Sequence, residues 1–265
     1  TPNNISVWDT LARKTLYANP RPDSFYSGSG LEASFVGLRE NYYAFSWGDA
    51  LVVVLSDHGM NSFRRGMHLN TWLHDQGLLA LKPGCVPGEE SGDFFKDVDW
   101  DRTQAYAVGL GSMYLNIRGR EERGVVDPNE ADALKRKIAD NLGGVVDPAT
   151  GQVAVTRVVS REEVYSGAYA DEAPDLLVNF NSGYRVSWAT ALGGVPEGHF
   201  EDNSKKWAGD HLIDPNLVPG VLFMNRPFAN DPDLAALAPT ILDHLRVPKH
   251  ESMERPSLLS ADGGN

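Results

Sequence analysis

The chain has 265 residues, enough for one large domain or two small ones around a sizeable core. Acidic residues outnumber basic ones 36 to 24, for a formal net charge of -12, which argues against a nucleic-acid polymer or an anionic membrane as partner. The single cysteine, Cys85, excludes an internal disulfide and any multi-thiolate zinc knuckle, and no apolar run reaches the length of a membrane span. An acidic chain that handles phosphate esters needs local positive charge, for which metal ions are the usual source. Compartment is left open.

In chain order, residues 1–34 are polar, with Gly and Pro spread through them. Asn41–Trp47 alternates and is aromatic, Gly48-Asp49 is a turn, and Ala50–Leu55 is a hydrophobic run. That pattern predicts a β-hairpin whose second strand is buried on both faces. Arg64 and Arg65 fall in a short loop, able to clamp a phosphate oxygen or simply to be solvated. A helix is predicted over Leu69–Gln76, stopped by Gly77, and a short strand over Leu78–Leu81. Residues 83–102 are an acid-rich surface excursion. Thr103–Val108 and Met113–Ile117 read as strands around Gly109-Leu110-Gly111. A helix opens at Asn129-Glu130 and ends at Gly143-Gly144. Val153–Val159 and Asp175–Phe180 read as strands. Residues 181–216 are long, polar and irregular, as functional loops are. Val218–Met224 is a buried strand, Leu234–Leu245 an amphipathic helix stopped by Pro248, and Ser257–Asn265 a frayed tail. Strands alternating with helices from residue 50 onward predict an α/β fold, a layered sheet flanked by helices.

Ser56-Asp57-His58-Gly59 follows a β-branched run, so a carboxylate and an imidazole are delivered at a strand end, where α/β sheets bind ligands. Such a pair suits zinc, manganese or iron; its plainer reading is an N-cap Asp with a bystander His. A second pair, Asp210-His211, sits in a Gly-containing loop ahead of Val218–Met224. His199 in the same region is a candidate ligand, general acid or surface residue. His68 and His74, six apart, fall on different faces of a helix. His244 and His250 close the last helix as dipole partners.

Ser56-Asp57-His58-Gly59-Met60, Phe63-Arg64-Arg65-Gly66 and Leu69-Asn70-Thr71-Trp72-Leu73 together resemble the alkaline-phosphatase superfamily, closest to its type I phosphodiesterase and nucleotide-pyrophosphatase branch. Ala105–Asn116, Ala173-Pro174-Asp175-Leu176, Gly209-Asp210-His211, Val218–Phe223 and Ala238–Asp243 continue the resemblance, which covers residues 51–250. It implies an alkaline-phosphatase-like fold and a divalent metal cofactor, zinc or manganese. Asp57 and His58 match the ligands of one family metal and His211 a ligand of the other. The family's first-strand Asp, its Thr or Ser nucleophile and an Asp-x-x-x-His pair all lie upstream of this motif. Only 55 residues precede Ser56, and none of the seven histidines lies before His58, so the expectation is a truncated version of the fold. Tyr17–Gly28 and Val36–Leu51 are similar to a segment of calcineurin-like metallophosphoesterases, over about residues 10–51. The expected organisation is therefore residues 1–50 as that segment with its hairpin, 51–250 as the α/β domain, and 251–265 as a tail.

One expectation is a truncated, metal-dependent phosphoester hydrolase in which Asp57, His58 and His211 hold a single divalent ion, with Asp210 or His199 as an extra ligand. Three protein ligands leave positions for water and substrate, and hydroxide is the attacking group. Ser56, Thr10 and Ser29 are the side-chain alternatives. Phosphodiesters, phosphotriesters or activated aryl esters are the expected small-molecule substrates. The competing expectation is a non-catalytic metal- or anion-binding module. Apolar surface left by missing elements favours a homo-oligomer.

Overall fold

The computed structural model describes residues 51–88, 94–230 and 232–259, together with the backbone of six short strands among the first fifty residues. Those strands are β1 (Ile5–Asp9), β2 (Lys14–Asn19), β3 (Ser27–Gly28), β4 (Leu31–Glu32), β5 (Val36–Leu38) and β6 (Tyr42–Ala44). The turn expected at Gly48-Asp49 lies outside the described residues. β7 is Val53–Ser56. The chain divides into two compact units, Thr1–Gly59 with Pro219–Asn265, and Met60–Val218. The class is mixed α/β, with several sheets flanked by helices.

In the unit Met60–Val218, the organising strand is β8 (Asn61–Met67). The loop expected around Arg64 and Arg65 is thus a strand. Its sequence, Asn-Ser-Phe-Arg-Arg-Gly-Met, has no apolar alternation to betray it. Pairing on both sides and an ion pair of Arg65 with buried Asp147 hold it extended. α1 (Leu69–Asp75) follows, and Leu69, Trp72 and Leu73 go into the core. Burying each such side chain is worth roughly 1.5–3 kcal/mol. The strand expected over Leu78–Leu81 is absent. The Leu78 and Leu79 N–H groups both donate to the Leu73 carbonyl, finishing the helix, and only Leu81 bridges to Val98.

β9 (Ala105–Val108) and β10 (Ser112–Leu115) form a hairpin. Gly109 and Gly111 have φ of +70° and +100°, a conformation their Cβ-free backbone adopts without strain. α2 (Ala131–Leu142) is entered through Asp127, whose carboxylate accepts from the Asn129 N–H, and is left at Gly143. β11 (Val155–Ser160) leads into the single turn α3 (Arg161–Val164) through a capping box of Ser160 and Glu163. β12 (Leu176–Phe180) completes an antiparallel sheet in the order β11-β12-β10-β9. Ala105, Ala107, Met113, Leu115, Ile138 and Leu142 are fully buried where this sheet meets the core.

Residues 181–216 are not irregular. They supply β13 (Gly183–Val186), α4 (Trp188–Ala191), β14 (Phe200–Asp202) and β15 (Gly209–Asp210). β13 pairs with β8 in parallel, and β14 and β15 pair with it antiparallel. Each piece is too short and too polar to show a period of its own, and β8 supplies the register.

The other unit carries β16 (Val221–Met224) and α5 (Leu237–His244). Its antiparallel sheet runs β2-β1-β16-β7. Leu222, Met224, Ala236 and Leu258 form its small core. Leu258 is therefore packed where a frayed tail was expected, and its N–H donates to Thr240 Oγ1 at 2.8 Å; residues 260–265 lie outside the described residues. β7 corrects a further expectation. It is an edge strand, not one buried on both faces, and Val54 and Leu55 are 57% and 42% exposed.

Candidate functional site

β7 delivers Asp57 and His58 immediately past its last residue, Ser56. Their backbone is braced by β16, which pairs Val221 with Ser56 and donates the Val221 N–H to Ser56 Oγ at 3.1 Å. Gly220 lies against this strand end so closely that a Cβ there would stand 2.4 Å from the Ser56 carbonyl oxygen. The Ser56 hydroxyl is thus engaged with the neighbouring strand. Thr10 and Ser29, the other nucleophile candidates, lie outside the described residues.

The two side chains form a pincer. His58 Nδ1 bonds the Gly59 carbonyl at 2.8 Å. A carbonyl only accepts, so Nδ1 carries the proton and Nε2 holds the lone pair in the neutral ring. That Nε2 lies 3.5 Å from Asp57 Oδ2, with His58 35% and Asp57 63% exposed. Zinc bonds of about 2.0–2.2 Å at a tetrahedral angle place two donor atoms about 3.4 Å apart. The 3.5 Å separation matches the spacing of two donor atoms on one divalent ion. A backbone carbonyl on the far nitrogen is the usual partner of a ligating imidazole.

Beside Asp57 in the same unit is a cleft of about 110 Å³. Leu55, Val221, Leu222, Leu234 and Leu237 wall it, and Ser56, Asp57 and Asp233 are its polar lining. Asp233 caps the turn Leu234–Ala236 through the Ala236 N–H and pairs with Arg255 at 2.6 Å.

The other pair behaves differently. Asp210 ends β15 and is 5% exposed. Its Oδ1 accepts the N–H groups of His211 and Leu212, at 2.8 and 3.0 Å, and its Oδ2 is ion-paired with Arg185. Burial pushes this carboxyl up, but Arg185 and the two N–H groups outweigh it, and its pKa lies below the ordinary value. Both oxygens are thus committed within the protein. His211 carries a 40% exposed ring, with Nδ1 3.9 Å from Asp210 Oδ1.

A model of the family type I phosphodiesterase / nucleotide pyrophosphatase matches residues 44–206, more than half of the chain. The chain belongs to this family. Phosphoester hydrolysis is its chemistry at the family level, within the alkaline-phosphatase superfamily. No curated protein and no solved structure matches the chain. The family match takes in Asp57, His58, Arg185 and His199 and stops short of Asp210 and His211.

Of the remaining candidates, His199, His74, Arg65 and His68 have partners within the protein. His199 Nε2 bonds Asp75 Oδ2 at 2.8 Å, and His74 Nδ1 meets the other oxygen of Asp75 at 3.2 Å. Burial raises the Asp75 carboxyl, the two imidazoles lower it, and the imidazoles prevail. Arg65 is tied to Asp147 and Asp202 and is no phosphate clamp, while Arg64 is exposed. His68 is buried, 3% exposed, with Nδ1 2.7 Å from Ser187 Oγ. Among the described residues, no group of three or more His, Cys, Asp or Glu side chains is gathered closely enough to hold an ion. No helix among them is long and apolar enough to cross a membrane. The residue that sequence reading missed is Arg185. Its one signal, a cation inside the otherwise uncharged Gly183–Ala191 segment, becomes informative only when Asp210 is seen beside it.

Proposed function

We propose that this family member is a metal-dependent hydrolase of phosphate esters, with Asp57 and His58 as the chelating pair for zinc or manganese. One observation carries the reading. In a chain of this family, His58 Nε2 and Asp57 Oδ2 stand 3.5 Å apart at a strand end, with the proton fixed on Nδ1 by Gly59. An ion bound there supplies Lewis-acid polarisation of a phosphoryl oxygen and acidifies a water toward neutrality. The chain supplies the rest. The Gly59 carbonyl fixes the tautomer and aim of His58. The exposed Asp57 carboxylate offers anionic charge beside the cleft. The leucine walls would seat the apolar group of a phosphodiester, phosphotriester or aryl ester. His211 is a further proposed ligand, on the resemblance of Gly209-Asp210-His211 alone. No family match supports the similarity of residues 10–51 to calcineurin-like metallophosphoesterases.

The test is metal content and hydrolysis of bis(4-nitrophenyl) phosphate in the native chain and in Asp57→Ala, His58→Ala and His211→Ala. Loss of bound metal and at least a hundredfold loss of turnover in the first two is expected. Undiminished turnover after chelation sinks the metal-dependent reading. The second reading is a metal- or anion-binding module without turnover that self-associates. Val54, Leu55, Val221 and Leu234, all more than 40% exposed, favour the association. Light scattering that finds a monomer at micromolar concentration removes that part.

A further inference from the structure

We propose that Arg185 is a positioning residue: clamped to Asp210, it fixes the backbone from which His211 is presented. This rests on the reading of His211 as a metal ligand.

Arg185 is 1% exposed, in a slot between two aromatic rings. Its guanidinium carbon lies 4.5 Å from the centre of the Phe63 ring and 4.1 Å from that of Trp188. Nε donates to the Val186 carbonyl at 3.0 Å and Nη1 to Asp210 Oδ2. Nη2 is buried with no hydrogen-bond partner among the described residues. As packing material this is a poor choice. A methionine fills a similar slot between two rings without a desolvated charge or an unsatisfied donor. The cation needs another reason, and its partner provides one.

Asp210 is nearly as buried as Arg185, and an anion there is untenable without a counter-charge. Yet it is as an anion that Oδ1 accepts strongly from both the His211 and Leu212 N–H groups. The order of dependence is Arg185, then the Asp210 carboxylate, then the two amides, and finally the half-exposed His211 ring. Both charged residues stand on strands, β13 and β15, that pair with β8. Sheet register therefore sets their meeting. Asp210, an oxygen donor capable of ligation, is spent on holding its neighbour.

The experiment uses the full chain, metal-free, with Arg185→Met. Amide hydrogen exchange at His211 and Leu212 is expected to speed up at least tenfold, with Ile138 in α2 unchanged. Affinity for Mn²⁺ alone is expected to weaken ten- to a hundredfold, the range for partners that orient ligands. If Arg185→Met does not fold, Asp210→Asn carries the same test, since it keeps the size and removes the anion. Native-like exchange at His211 and Leu212, or unaltered Mn²⁺ affinity while His211→Ala weakens it, overturns the positioning role. If His211→Ala itself binds Mn²⁺ as the native chain does, the ligand reading fails instead, and the exchange rates still decide whether Arg185 holds this backbone.

Discussion

Arg120 and Asp175 meet as a two-pronged pair: Nη1 donates to Oδ1 at 2.8 Å and Nη2 to Oδ2 at 2.6 Å. Asp175 is 2% exposed and also accepts the Leu115 N–H, at 2.8 Å, while Arg120 Nη2 reaches the Leu115 carbonyl at 2.7 Å. The bond to Asp175 raises the Arg120 pKa well above its ordinary value, against the opposing effect of burial. The pair ties the end of β10 to the start of β12. The acid of Ala173-Pro174-Asp175-Leu176 is thus explained by architecture.

Asp175→Asn breaks this network from within and leaves a guanidinium facing a neutral amide. A loss of about 2 kcal/mol is expected, because Asp175 is buried while Arg120 stays one-third exposed and can be solvated. Urea midpoints measure it. Asp57→Asn, at an exposed position, is expected to stay within about 0.5 kcal/mol of native stability while metal binding is lost. A comparable drop for both variants contradicts the division between a structural acid and a ligand acid.

Gly220→Ala attacks the strand end from the other side. The added methyl would stand 2.4 Å from the Ser56 carbonyl oxygen and 3.0 Å from that of Asp57. Both neighbours are backbone, so the strand end must move. Weaker Mn²⁺ binding, by at least tenfold, is expected together with a lower melting temperature. Native affinity in a well-folded Gly220→Ala shows that the aim of Asp57 does not depend on this close approach.

His68 predicts an acid limb. Burial, and then the charge of His199, lower its pKa from 6.5 to about 4. The unfolded chain therefore binds the proton more readily than the folded one between these values. Stability is full above pH 6.5 and falls as pH drops toward 4, by about 3 kcal/mol at most. Urea midpoints taken from pH 7 to pH 4 should show the slope, and His68→Gln should flatten it. An equal slope in the variant assigns the limb to other groups.

The metal binding proposed at Asp57 and His58 must also appear as stability. A ligand at a hundred times its Kd adds about 2.7 kcal/mol if it binds only the folded chain. A melting temperature that rises with Mn²⁺ or Zn²⁺ in the native chain, and not in His58→Ala, is the expected result. Equal rises in both place the ion elsewhere.

Much of this was legible in the chain itself. The α/β class, α1, α2, the β9–β10 hairpin with its two glycines, and the Asp57-His58 pair after an apolar run all follow from patterns within a dozen residues. Periodicity, capping and positive-φ glycines are local, so the sequence determined them. Tertiary structure decided what depends on distant partners. β8 is a strand because β13, β14 and β15 pair with it, although its own residues are polar. The edge position of β7 exposes Val54 and Leu55, which hydropathy alone assigns to a core. Asp210 reads as a ligand beside His211 until Arg185, 25 residues away, is found on its second oxygen. A carboxylate that holds an ion and one that holds the chain are the same residue type. Only the neighbours brought by folding assign the second role to Asp210, and they leave the exposed Asp57 carboxylate open to the first, which is proposed for it.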